Sequence, residues 1–154
     1  MKFGIDFDGT CVDHCYPMVG KDVPGAVKTM WKLRDLGALL ILYTNRDKHY
    51  LDDAIDWFKK RGIPLHGVNR DPEQDVWTTS PKLFAHYYID DRNIGIPMIR
   101  PDGFNRDCVD WEWVADRLFN TVPRVCKTNI NRAIMVDNKF LKEEKQRQEE
   151  KKNG

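Results

Sequence analysis

The chain has 154 residues, of which 41% are hydrophobic and 32% charged, with a formal net charge of +1. That length suits one domain with a substantial core and is short for two. The near-neutral charge removes any global pull toward nucleic acid or a membrane surface, and no apolar run approaches the length needed to cross a bilayer. Lys2 leads straight into the first apolar alternation, so no secretory signal is expected and a cytoplasmic, reducing compartment follows as the expectation. Cys11, Cys15, Cys108 and Cys126 form no Cys-x-x-Cys pair. The stretch Cys11-Val12-Asp13-His14-Cys15 offers zinc at most three soft ligands and reads as loop chemistry.

Phe3, Ile5 and Phe7 alternate with small or polar residues, which predicts a strand ending in Asp6, Asp8 and the Gly9-Thr10 turn. Two carboxylates spaced by one residue on an extended backbone project from one face. Crowded there, they repel unless a cation lies between them, and hard oxygen donors suit Mg²⁺; an acidic turn is the plainer reading of the same residues. Pro24-Gly25 opens a helix carrying Ala26, Met30 and Leu33, which Gly37 closes. Residues 38–43 are apolar without alternation, the pattern of a central parallel strand. Asp47 starts a second helix with Leu51, Ala54, Ile55 and Phe58 on one stripe, ended by Gly62 and Pro64.

Residues 65–68 predict a short strand and residues 69–79 a loop with a helical turn. Ser80-Pro81-Lys82 precedes the run Tyr87-Tyr88-Ile89, which finishes in Asp90-Asp91. Residues 94–99 predict one more strand, and Asp107 caps a last helix with Trp111, Val114 and Leu118. Strands alternating with helices predict an α/β fold: a doubly wound, Rossmann-like parallel sheet with helices on both faces. From Asp137 onward Lys, Glu, Gln and Arg dominate. Residues 1–136 therefore read as one domain and residues 137–154 as a charged helical or disordered tail, available to a protein partner.

Three predicted strands end in reactive side chains: Asp6 and Asp8, then Thr44-Asn45-Arg46, then Asp90 and Asp91, with Lys82 ahead of the last. An acidic metal cage, a hydroxyl, a lysine and loop amides are the parts of a phosphoryl-transfer site. In this order they resemble the haloacid dehalogenase-like phosphohydrolases: Asp6-Phe7-Asp8-Gly9-Thr10 is similar to the first motif of that superfamily, Thr44 to the second, Lys82 to the third and Asp90-Asp91 to the fourth. The likeness runs from Lys2 to Pro101.

The resemblance implies a Mg²⁺-dependent phosphatase, with residues 1–136 as its catalytic domain, working through an aspartyl-phosphate on Asp6. It implies that Asp8 protonates the leaving alcohol and then activates water. Asp6, the Asp8 backbone carbonyl and Asp91 would hold the metal, with Asp90 behind them. Thr44 and the Asn45 amide would bind the phosphoryl group, Lys82 would neutralise it, and Arg46 would reach substrate phosphate. His14, Asp13 and Tyr16 follow the first motif within reach of substrate, with no fixed direction. His49, His66 and His86 read as structural or surface residues.

Asp8 and Thr44 are 36 positions apart, which leaves only residues 11–23 for a flap and none for a cap domain. A nearly capless crevice is expected to take a small phosphorylated substrate. A nucleic-acid 3′-phosphate end is the alternative, with Arg100, Arg106, Arg124, Lys127 and Arg132 as its basic track. From another class, a receiver-like phosphoaspartate signalling module shares the acidic residues, Thr and Lys. Its acceptor, though, lies on a central strand rather than in an N-terminal Asp-x-Asp-Gly-Thr.

Overall fold

The computed structural model describes residues 1–120; the tail at 137–154 and Arg124, Cys126, Lys127 and Arg132 lie outside the described residues. Four strands, β1 (Lys2–Ile5), β2 (Leu39–Leu42), β3 (Gly67–Val68) and β4 (Tyr87–Ile89), form a parallel sheet in the order β3-β2-β1-β4. Phe3 pairs with Leu40 on one side and Tyr87 on the other, and Ile5 pairs with Leu42 and Ile89. Helices α1 (Ala26–Asp35) and α2 (Lys48–Lys60) connect the first three strands, and α3 (Trp111–Phe119) packs beside α1. This is the expected α/β, Rossmann-like parallel sheet flanked by helices.

Each element has a local cause. Phe3, Ile5 and Phe7 point to one face and are fully buried with Met30 and Leu33 of α1 and Trp57 and Phe58 of α2. The Phe7 ring meets Trp57 edge-on at 5.7 Å. On the opposite face Gly4 leaves no room for a side chain, because a Cβ there would lie 2.9 Å from the Tyr88 ring. Gly37, at φ 81°, turns the chain after α1 so that Ala38 can donate to Leu33 O at 3.0 Å.

Three boundaries depart from expectation. Only Gly67–Val68 of the segment 65–68 is strand. Residues 94–99 add no parallel strand: Ile94 is fully exposed, and β5 (Met98–Ile99) pairs antiparallel with β6 (Cys108–Val109) in a separate two-stranded sheet. Asp107 does not cap α3. It forms an exposed pair with Arg100 at 2.7 Å, while Asp110 accepts from the amides of Glu112 and Trp113 at 3.0 Å each. The strand Cys108–Val109 intervenes, so the helix starts three residues later than the first available Asp.

At the N-terminal edge of the sheet, buried Lys2 places Nζ 2.7 Å from Asp71 and 2.8 Å from Glu73, and His66 lies 3.2 Å from Asp71. His66, Asp71 and Glu73 could geometrically hold a metal, but the Lys2 ammonium already supplies their positive charge. His86 joins them by accepting from the Lys2 amide at 2.9 Å.

Candidate active site

The chain leaves β1 in one direction to build β2 and β3, then returns on the other side of β1 as β4. Connections therefore diverge at the C-terminal ends of β1 and β4, the place where open parallel sheets bind ligands. A crevice of about 310 Å³ opens there, lined by Asp6, Asp8, His14, Tyr16, Thr44, Asn45, Arg46, Asp90, Asp91 and Arg92.

Asp6, Asp90 and Asp91 bring one carboxylate oxygen each to within 4.8 Å of one another. Burial pushes the Asp6 carboxyl from its ordinary 3.8 up to about 7, and the charges of Asp90 and Asp91 push the same way. Bonds from the Phe7 amide and the Thr10 hydroxyl, the latter at 2.9 Å, act against that rise. Thr10 also accepts from the Asp91 amide at 3.0 Å, so one buried hydroxyl ties the end of β1 to the end of β4. Trp111 of α3 donates to Thr10 O at 2.6 Å and fixes the same loop from behind.

Asp91, expected to hold the metal with Asp90 behind it, shares the cluster with Asp90. Both Asp90 and Asp91 belong to the cluster, and the charge of Asp90 weighs more on Asp6. The reason is local: the strand ends at Ile89, and Asn93 donates to Asp90 O in a turn, so consecutive side chains no longer alternate.

The Asp8 side chain stays outside the cluster. Arg46 grips it with two bonds of 2.7 Å, from Nε and Nη2. The guanidinium also donates to Pro17 O at 2.9 Å and Met18 O at 2.8 Å and lies over the Phe7 and Tyr16 rings. Arg46, expected to reach substrate phosphate, is thus a buried clamp joining Asp8 to the flap (residues 11–23). A planar donor fork matches a carboxylate in a way a lysine would not.

Thr44 and Asn45 follow β2 into the crevice as expected. The Asn69 side chain fixes the Thr44 peptide from both sides, accepting from its amide at 2.7 Å and donating to its carbonyl at 2.8 Å. The Thr44 hydroxyl accepts from the Arg46 amide at 3.2 Å, which leaves its own hydrogen for a group in the crevice. Lys82 is exposed and does not line the crevice; its backbone bonds Ser80 and Gln74. Arg92 is the cation at the mouth instead, with Nε 3.3 Å from Asp91.

His14 and Arg92 line the crevice beyond the residues given definite roles from sequence, and Thr10 and Asn69 brace it through their bonds to Asp6, Asp91 and Thr44. Thr10 had a signal in its place after Asp-Gly; Asn69 and Arg92 had none, because each acts through a contact set by the fold. The imagined zinc clip does not form: the Cys11 thiol, raised well above its ordinary value by burial, donates to Asp6 O at 3.2 Å, while the His14 ring turns to Asp91.

Fold and site together define an α/β protein with an acidic crevice at the switch point of its sheet. No protein-family model and no curated protein matches the chain. A solved structure of a conserved protein from Bacteroides thetaiotaomicron is 35% identical over 79% of this chain and 91% of that one, with a TM-score of 0.65. The chain belongs to the same family as that protein. Among the described residues no helix is long and apolar enough to cross a membrane.

Proposed function

We propose that this protein is a haloacid dehalogenase-like, Mg²⁺-dependent phosphatase acting on small phosphate monoesters. The observation that carries the reading is the cluster of Asp6, Asp90 and Asp91 at the β1/β4 switch point. Three hard oxygen donors with mutual repulsion fit a divalent cation of the Mg²⁺ type. When bound, the cation would offset the charge of an anionic substrate facing carboxylates.

The residues then divide the work. An Asp6 oxygen attacks phosphorus while the ester oxygen leaves with the proton of the Asp8 carboxyl. Water next attacks the aspartyl-phosphate, giving its proton back to Asp8 and releasing phosphate and free Asp6. Arg46 orients Asp8 through both oxygens when it is ionised and through one when it carries the proton. The Thr44 hydroxyl and Asn45 meet the phosphoryl oxygens, with Arg92 as the charge at the mouth. An open crevice beside a short flap suits a small ester without a closing lid.

The test is hydrolysis of an aryl phosphate by purified protein. Asp6→Asn is expected to abolish turnover with its circular dichroism unchanged, and chelation is expected to stop the wild type until Mg²⁺ is restored. Undiminished turnover by Asp6→Asn overturns the reading; strict dependence on a 3′-phosphorylated oligonucleotide redirects it to nucleic-acid ends.

A further inference from the structure

We propose that His14 is a positioning residue of the cation site, acting through Asp91; this rests on reading the crevice as a divalent-cation site. The His14 Nε2 lies 2.9 Å from Asp91 Oδ2, with the two side chains only 15% and 8% exposed. An ionised carboxylate can only accept, so Nε2 is the donor in this contact whatever the charge of the ring. It engages one Asp91 oxygen and leaves Oδ1, whose other neighbour is the largely exposed Arg92 Nε at 3.3 Å.

The approach is built into the chain. Gly9 adopts φ 90°, and a Cβ there would lie 2.2 Å from His14 Nε2 and 2.7 Å from Asp91 Oδ2. The glycine of the first turn thus leaves the space through which the imidazole reaches Asp91. The backbone that carries the ring is held as well. The Asp13 amide donates to Lys21 O at 2.8 Å, the Asp13 carboxylate accepts from the Asn105 amide, and Asn105 Nδ2 donates to His14 O at 3.2 Å. Asp91 is in turn fixed by its amide bond to Thr10.

A carboxylate held through one oxygen by His14, on a backbone fixed by Thr10, has less rotational freedom to lose on cation binding. Outer bonds of this kind typically change metal affinity by about 10–100-fold. The flap therefore contributes a residue to the metal centre that lies in no strand and outside the four acidic positions.

Calorimetric titration of the full chain with Mg²⁺ alone, repeated with Mn²⁺, tests this on wild type, His14→Phe and His14→Gln. Phe keeps a ring in the space and removes the donor; Gln restores an N–H. His14→Phe is expected to weaken binding about 10–100-fold, and His14→Gln to recover most of the loss. Equal melting temperatures without metal would show that the fold is kept. Wild-type affinity in His14→Phe overturns the proposal and leaves the cation site standing, as does His14→Gln binding as weakly as His14→Phe. A wild type that binds neither ion overturns both.

Discussion

Two arginines enter one crevice and meet different fates. Arg46 is buried with its guanidinium divided among Asp8, Pro17 O and Met18 O, whereas the Arg92 side chain is 74% exposed beside Asp91. Only the second can turn toward an incoming phosphate at little cost, since the Asp91 carboxylate it leaves keeps its bond to His14. Arg92→Ala is therefore expected to lower kcat/KM for a phosphate monoester by about 10–100-fold, the worth of one charge-assisted bond, and Lys82→Ala to change it far less. Steady-state kinetics on both variants decides it; a larger loss from Lys82→Ala would show that this lysine enters the crevice with substrate. Asp6, Asp8, Thr44 and the Asp90-Asp91 pair were legible as positions of one crevice because each closes an apolar strand. The destinations of Arg46 and Lys82 were not. A basic residue near a site reads the same in sequence whether it faces ligand, solvent or a buried carboxylate.

Among the elements, β1, α1, β2 and α2 were readable nearly to the residue, since each carries its own apolar pattern and its own stop, such as Gly37 or Gly62. Legibility falls after Val68 for a physical reason. The remaining strands are two or three residues long, too short to show a period. The start of α3 illustrates the ambiguity, because Asp107 and Asp110 are both good caps by composition and only the backbone path decides. Asp110 accepts from two amides of the first turn, which costs about 0.5–2 kcal/mol to remove. Asp110→Ala is expected to lower the melting temperature by a few degrees. Asp107→Ala, breaking an exposed pair with Arg100, is expected to leave it nearly unchanged. Thermal denaturation of the two variants checks the order, and the reverse result would put the cap back at Asp107. The effect reaches the crevice because Trp111, the first residue of α3, holds the Thr10 carbonyl.

For the whole molecule, the crevice links stability to protons and, as the proposed cation site, would link it to metal ions. A carboxyl whose folded value is about 7 against an ordinary 3.8 binds its proton more tightly in the native state than in the unfolded chain. Between those values the native state holds more protons, so stability contributed by Asp6 is full in acid and is lost as pH rises through about 7. This runs opposite to a salt-bridged carboxylate, and its cause is burial reinforced by Asp90 and Asp91. A divalent cation bound among the three carboxylates would take the place of that proton and add its own binding free energy to the folded state. Metal-free protein is thus expected to melt at a lower temperature at about pH 8 than at about pH 5, with millimolar Mg²⁺ raising the melting temperature more at the higher pH. Asp6→Asn, uncharged at both, should flatten the pH dependence and remove most of the Mg²⁺ effect. Differential scanning calorimetry in chelated and Mg²⁺-containing buffers measures each of these. A Mg²⁺ shift of equal size at both pH values, or one retained in Asp6→Asn, would mean that the cation does not compete with the proton on Asp6 and binds elsewhere on the surface.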